Sequence, residues 1–464
     1  MEENMKTKRL IIVTLIAGLS GFGLADTHYV VPYGTEGVTP TPPYTNWPTA
    51  GTNLNVVVAA ALAASEPRMV SVTNGTYYLS DAVAITKPLT MRSVNGRDLT
   101  VVDGNNYPGK PVTNRCFVLS GNDIVLDGLT IRNGYGLGHG GGVESGSGIR
   151  VLVDNCRIVG CAATNATALY AGGGGATLRN QQTIRNCEIL SNTNFGGYGG
   201  GVCAWSLGGT IVNCTVASNV TYAGYTNGTL TAEANGGGVM LMPGVVSNCI
   251  IYGNVAKLNA SGGNGNGGAI RMSDGSRVVN SLIYGNTASS GGGVWARTSA
   301  SMLNCTVVSN RLSAGGNGAG VYLSAGVPTN TDQTQRMENV ICYFNVNTSG
   351  TIANYYFTTP NPGFTGTYHI VNSCLYPTNF AQTYPTLNVI AAGNTEADPK
   401  FADLAGKNYR LSSGSPCINT GTNAGWGARD LDLDGNRRID PWSGIIDMGC
   451  FEYTVPHGTL LKMN

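Results

Sequence analysis

The sequence predicts an all-β fold, a single-stranded right-handed parallel β-helix in which one chain winds through stacked coils. Two phrases and one spacing predict it. The first phrase is apolar-x-Asn-Cys/Ser-x-Ile/Val. It reads Val153-Asp-Asn-Cys-Arg-Ile158, Ile184-Arg-Asn-Cys-Glu-Ile189, Ile211-Val-Asn-Cys-Thr-Val216 and Val246-Ser-Asn-Cys-Ile-Ile251, recurs around Asn280 and Asn304, and continues as the variant Met337-Glu-Asn-Val-Ile-Cys342 around Asn339. The second phrase is a glycine cluster closed by a small aliphatic residue, at Gly140–Val143, Gly172–Ala176, Gly199–Val202, Gly236–Val239, Gly267–Ala269, Gly291–Val294 and Gly318–Val321. The anchor asparagines, from Asn155 to Asn339, are separated by 31, 27, 35, 32, 24 and 35 residues. A strand-like repeat of that length without helical periodicity is the signature of a solenoid.

The first phrase also predicts a corner. Its first apolar residue and its Cys lie three apart, so a flat strand cannot put both on one face. A bend at Asn resets the parity, and Asn follows Gly as the residue that most readily enters the left-handed region. Stacked coils then pile the asparagines into a ladder and set Cys156, Cys187, Cys214, Cys249 and Cys305 in an inner column. A second Asn six positions on (Asn192, Asn219, Asn254, Asn286, Asn310, Asn345) reads as the next corner. The aliphatic-x-x-Asn pieces Ile189–Asn192, Ile251–Asn254, Ile283–Asn286 and Val307–Asn310, taken with the glycine clusters, resemble the repeats of polymorphic outer-membrane proteins. That resemblance implies an adhesin-like passenger β-helix over about residues 134–345, with Ile or Val here where that family usually has Phe.

In chain order, Lys8, Arg9 and the apolar run Leu10–Leu24 read as a secretory signal over residues 1–25, too short and Gly-rich to favour a membrane span. Its removal leaves 24 basic and 24 acidic residues. A neutral chain gives no electrostatic case for nucleic acid or an anionic membrane. Residues 26–66 form an entry segment whose Leu54–Ser65 is an Ala-rich helix, suited to plug the first coil's open edges. The solenoid is assigned to residues 67–395. Its opening stretches, Val70–Tyr78, Val83–Met91 and Leu99–Gly104, resemble the first coils of pectin-lyase-like proteins. Residues 396–464 change character. Asp398-Pro-Lys-Phe401, Ser415-Pro-Cys-Ile-Asn-Thr-Gly421, Asp432-Leu-Asp-Gly-Asn-Arg-Arg-Ile439 and Asp447-Met-Gly-Cys-Phe-Glu-Tyr453 resemble the C-terminal module of secreted bacterial choice-of-anchor Q proteins. Cys417 and Cys450 stand at that family's small positions, and Thr454–Asn464 carries no anchoring tail.

Twelve cysteines in an exported chain invite disulfides. In-register strands about 4.8 Å apart suit a bridge poorly, so the ladder cysteines read as buried thiols. Pairing of Cys417 with Cys450, outside the ladder, stays open.

Three motifs bear on chemistry. Asp430, Asp432 and Asp434 have the spacing of a calcium loop, but Pro441 stands where an EF-hand wants its bidentate Glu. Calcium is therefore the one cofactor on offer, against Asx turns and Asp–Arg pairs closing the C-terminal module. Gly138-His139-Gly140 is similar to the Gly-His-Gly of polygalacturonase-like glycosidases, whose clustered aspartates are met here only by Glu144, Asp123 and Asp127. Arg150, Arg157, Arg179 and Arg185, with Asp154 and Glu188, offer a cationic patch of the kind a polysaccharide lyase needs, or else isolated solubilising charges.

The stronger signal is a stripe. If the aliphatic closing each glycine cluster faces inward, Glu144, Thr177, Cys203, Met240, Ile270, Trp295 and Tyr322 face out, as do Arg179, Trp205, Met242, Met272 and Arg297 two positions on. Trp, Tyr, Met and Arg in a row suit sugar stacking or protein contact, unless loops such as Thr221–Asn235 fold over and bury them. The expectation is a secreted or outer-surface binding protein, adhesin-like and monomeric, contacting polysaccharide or a surface partner. Its candidate ligand residues are Arg179, Trp205, Met240, Met242, Met272, Trp295, Arg297 and Tyr322. The alternative is a pectin-lyase-like lyase or glycoside hydrolase, marked by three or more charged or His groups converging on one groove.

Overall fold

A computed structural model describes residues 26–107, 114–164, 171–205, 208–226, 229–257, 265–273, 275–324, 334–358, 367–380 and 388–454. The signal segment, residues 1–25, lies outside them. The chain is a right-handed parallel β-helix. Three long sheets run its length, with 13, 11 and 10 parallel strands, each pairing with its counterpart one coil on. A fourth, of seven strands, widens the middle coils. The equivalence of coils is exact in register: Ile158 pairs with Ile189, then Val216, Ile251, Ile283 and Val307. These residues are fully buried and form one continuous core with Val153, Ile184, Ile211 and Val246.

Both predicted corners exist, but the second is built differently from the sequence reading. At the first corner Asn155, Asn186, Asn213, Asn248, Asn280, Asn304 and Asn339 all take φ between 47° and 56°, and the next residue turns inward. At the second, the left-handed residue is the one before the Asn: Ser191, Ser218, Gly253, Gly285, Ser309 and Phe344. Asn192, Asn219, Asn254, Asn286, Asn310 and Asn345 then point into the core, all fully buried. They form the better ladder. Asn219 receives from the amide of Asn192 at 2.9 Å and from its Nδ2 at 3.0 Å, and the pattern repeats coil by coil to Asn345. The outer column is interrupted: Asn186 donates to Asp154 at 2.9 Å, and only some neighbours bond each other, as Asn280 does Asn248 at 2.7 Å. The inner Cys column behaves as a weak analogue, with Cys187 Sγ accepting from the amide of Cys156 at 3.3 Å.

The ends close by different means. The helix α1 (Leu54–Ala63), capped by Asn53, buries Leu54, Val57, Val58 and Ala61 over the first coil. At the far end Phe380 packs on Tyr355 and Phe357 beneath the last core layer. The C-terminal module runs back along the flank instead. Its Tyr409, Cys450 and Phe451 cover Leu282 and Val308, and its Leu411, Cys417 and Met448 cover Ile341 and Cys374. The same module satisfies the outer asparagines: Asn304 donates to the carbonyls of Asp447 and Gly449, and Asn339 exchanges bonds with Thr422. Fully buried Arg438 joins Glu452 at 2.5 Å to Asn280 at 2.8 Å. Cys417 and Cys450 are free thiols, like the other ten.

The two ladders differ in burial, so they differ in what a substitution removes. Asn254→Ala strips buried partners on both neighbouring coils and should cost about 3 kcal/mol in urea unfolding. Asn213→Gly, at an exposed left-handed corner, should fall within about 0.5 kcal/mol of wild type. Equal costs would contradict the inner ladder.

Candidate functional site

The outer face of the ten-stranded sheet carries the predicted stripe. Cα pairing stacks Glu144, Thr177, Cys203, Met240, Arg271, Trp295, Tyr322 and Tyr356 one coil apart; Glu144 and Thr177 are placed by the pairing of their predecessors, Val143 and Ala176. One phase differs from the sequence reading. Ile270, not Ala269, pairs with Val239, so Arg271 faces out while Ile270 and Met272 lie fully buried in the core. The signal was present: Gly267-Gly268-Ala269-Ile270 matches Gly236-Gly237-Gly238-Val239 once Ala is allowed as the third small residue.

Nor is the stripe a continuous open wall. Thr177, Cys203 and Met240 have no exposed surface. A small parallel sheet covers the upstream coils, made of Ala171–Gly172, Gly197–Tyr198, Ala234–Asn235 and Gly265–Asn266. Thr177 Oγ1 donates to the Gly172 carbonyl at 2.7 Å. Gly172 packs closely, since a Cβ there would meet Cys203 Sγ at 3.0 Å and His139 Nδ1 at 3.2 Å. Of the segment suspected of covering the stripe, Ala234–Asn235 does so, whereas Tyr222 stacks on Phe195. Cover by that sheet ends near Ser290, the last residue to bridge to it.

Two clusters result. Upstream, His139, Arg115, Glu144, Arg179, Tyr198 and Trp205 gather around the covering sheet, all partly exposed. Arg115 pairs with Glu144 at 2.7 Å, Arg179 donates to the Ser145 carbonyl at 3.2 Å, and Trp205 lies edge-on to Tyr198 and 6.1 Å from His139. The Gly172 amide donates to His139 Nδ1 at 3.1 Å, which leaves the ring proton on Nε2. Burial, then Arg179 and Arg115, hold the imidazole below its ordinary pKa, so it is neutral at pH 7. Glu144 stands beside His139 in the sequence, whereas Arg115 and Tyr198 join this cluster through stacking of distant segments, which spacing alone does not show.

Downstream the covering sheet ends, and Arg271, Arg297, Tyr322 and Tyr356 are partly exposed. Trp295, 9% exposed, stacks on Tyr322 at 5.9 Å and 9°, and Tyr322 on Tyr356 at 5.3 Å and 29°. Arg271 lies over Trp295 at 4.5 Å. Arg297 leaves the same strand two residues after Trp295, on the same side. The proposed ligand set is therefore divided: Trp295, Arg297 and Tyr322 belong here, Arg179 and Trp205 to the upstream cluster, and Met242 sits half-buried past the strand end. Met240 and Met272 are buried and belong to neither. Tyr356 was missed because the glycine phrase has lapsed before it.

The other two motifs lead elsewhere. Asp434 pairs with Arg410 at 2.5 Å, Asp432 accepts the amides of Asp434 and Asn436, and Asp430 accepts that of Gly427. The three carboxylates thus hold separate partners instead of one cation. Among the described residues no group of three or more His, Cys, Asp or Glu could hold a metal ion. The cationic patch is likewise neutralised: Arg150 pairs with Asp123, Arg157 with Asp98 and Glu188, and Arg185 with Asp154, leaving only Arg179 without a carboxylate.

A family model described as a right-handed β-helix region matches residues 113–312. Among curated proteins none matches the chain. Among solved structures, a pectate lyase, Pel9A, is similar at 16% identity with a TM-score of 0.51, over 94% of this chain and 98% of that one. A rhamnogalacturonan lyase gives 12% identity and a TM-score of 0.42 over 84% and 96%, and the pectin methylesterase PemA from Erwinia chrysanthemi 11% and 0.34 over 68% and 94%. At such identities the likeness is one of fold. No helix among the described residues is long and apolar enough to cross a membrane.

The upstream cluster makes a pH prediction. A histidine pKa depressed by folding means the unfolded chain binds more protons, so His139 should erode stability as pH falls below about 6.5. In NMR of histidine-labelled protein its midpoint should lie below that of free histidine and rise in Arg179→Gln. A midpoint at or above the free value would contradict the site.

Proposed function

We propose that this protein binds polysaccharide along the open part of the ten-stranded sheet, and that it does so outside the cell or at its outer surface. The observation that carries the reading is the run Arg271–Trp295–Tyr322–Tyr356, aromatic on three successive coils and capped by a guanidinium. Tyr322 and Tyr356 are partly exposed, and Trp295 backs them from a more buried position. Such a surface offers an extended chain apolar edges and hydrogen-bonding groups at a spacing of about 4.8 Å per coil. A sugar polymer lying along the solenoid axis meets an equivalent group at each coil, which suits a repeating ligand. The apolar leader in residues 1–25 supports export, and the resemblance of the repeats to adhesin-like passengers supports a surface role.

A second reading has its own observation. The upstream cluster brings together Arg115, Glu144, His139 and Arg179, and a neutral imidazole whose free edge is an Nε2–H donor, beside a guanidinium without a carboxylate, sets a donor and a cation next to an anion site. That arrangement supports polysaccharide cleavage, by a lyase or a hydrolase.

The two readings part in one assay. With a panel of plant and bacterial polysaccharides, we expect retention without new unsaturated or reducing ends. Trp295→Ala with Tyr322→Ala should weaken retention tenfold or more, about 1.4 kcal/mol, with the fold unchanged by circular dichroism. New chain ends that vanish in His139→Ala would establish the enzyme instead, and retention untouched by the aromatic substitutions would sink the binding face.

A further inference from the structure

The arginines of this solenoid fall into two populations. From Arg92 to Arg185, every arginine but Arg179 has a carboxylate within 3.0 Å. Farther along, the compensation stops. Arg277, Arg297 and Arg336 make no ion pair and no side-chain hydrogen bond among the described residues, and Arg297 keeps a buried Nε without a partner. Arg277 and Arg336 are exposed and Arg297 is half-buried.

Their places in the fold are related. Arg277 pairs through Cα with Ser301, and Ser301 with Arg336, so Arg277 and Arg336 stand two coils apart in one column of the 13-stranded sheet. Arg297 lies on the coil between them, at the end of the strand Val294–Arg297 and just before the turn that leads into Ser301. Three uncompensated guanidiniums thus flank one corner on three successive coils, spanning about 10 Å along the axis. Arg297 connects that corner to the aromatic run, two residues from Trp295.

Arg297, half-buried with an unpartnered Nε, is costly unless an anion completes it, and exposed Arg277 and Arg336 add positive charge on either side of it. A chain that neutralises its arginines so regularly in one half and leaves three together in the other has the chemistry of a site for a polyanion. We propose that the polysaccharide held on this face is acidic, with carboxylate or sulfate groups held by Arg297, Arg277 and Arg336 while its sugar rings lie along Trp295, Tyr322 and Tyr356. This rests on the polysaccharide-binding reading above and adds the sign of the ligand and the side of the sheet it overhangs.

Matched pairs of polymers test it: polygalacturonate against its methyl ester, and dextran sulfate against dextran, each on the full chain. We expect at least one acidic polymer to bind about tenfold more tightly than its neutral partner. That preference should shrink as salt rises from 50 to 500 mM, since screening weakens exposed charge pairs. It should also be lost in Arg277→Gln/Arg297→Gln/Arg336→Gln, with Arg92→Gln as a control that leaves it intact. Preference for polygalacturonate alone would identify carboxylate, and for dextran sulfate alone, sulfate. Equal binding of acidic and neutral members, still dependent on Trp295, would overturn the charge proposal and leave the binding face standing. Binding of none would overturn both.

Discussion

The interaction on which the structure depends is the buried amide ladder from Asn192 to Asn345. Asn192 accepts from the Cys161 amide, each later side chain accepts from the backbone amide and the Nδ2 of the Asn one coil before it, and each donates to a core carbonyl such as that of Ile189 or Val216. No water is needed to satisfy these groups. A slip of one residue would leave several buried donors unpaired at once. The ladder also bears on the glycines. A Cβ on Gly201 or Gly238 would meet the carbonyl one coil on, of Gly238 or Ala269, at 2.8 Å and the side chain of Asn219 or Asn254 at 3.0 Å, so that position of the cluster holds a small residue.

Register fixed from inside frees the outside to vary. On the 11-stranded sheet the position two after each outer Asn runs Arg157, Glu188, Thr215, Ile250, Leu282, Thr306, Ile341. Arg157 and Glu188 pair with each other at the surface, whereas Leu282 and Ile341 are apolar under the C-terminal module and Thr306 there accepts from the Cys450 amide. The outer asparagines follow the same division: Asn155 and Asn213 are exposed, whereas Asn280, Asn304 and Asn339 are buried under the module and bonded to it. The ten-stranded sheet is divided in the opposite sense, covered upstream and open downstream. The open length lies on the same coils as the docked module, on another face.

Much of this was legible in the residues. Hydrophobic spacing around Asn-Cys gave the coils, and Asn at the first corner gave the bend, because few residues other than Gly enter the left-handed region cheaply. The second corner was misread because Gly and Ser do the bending there and leave the Asn free to turn inward. Arg271 was lost to an alanine standing in for a third glycine. Cover over Thr177, Cys203 and Met240 was not legible, since a two-residue strand such as Gly197–Tyr198 has no periodicity to detect. The upstream cluster was legible only in parts: His139 with Glu144, and Arg179 with Trp205, stand in separate motifs on different coils, and only the register brings them together with Arg115.

The ten-stranded sheet is covered upstream and more accessible downstream, and the proposed ligand lies along the accessible length. Hydroxyl-radical footprinting with and without a retained polysaccharide tests this directly. Tyr322 and Tyr356 should be labelled and the polymer should suppress that labelling, with Met240 and Cys203 unlabelled in both states. Labelling of Met240 and Cys203 in the free protein, or protection confined to other faces, would contradict it.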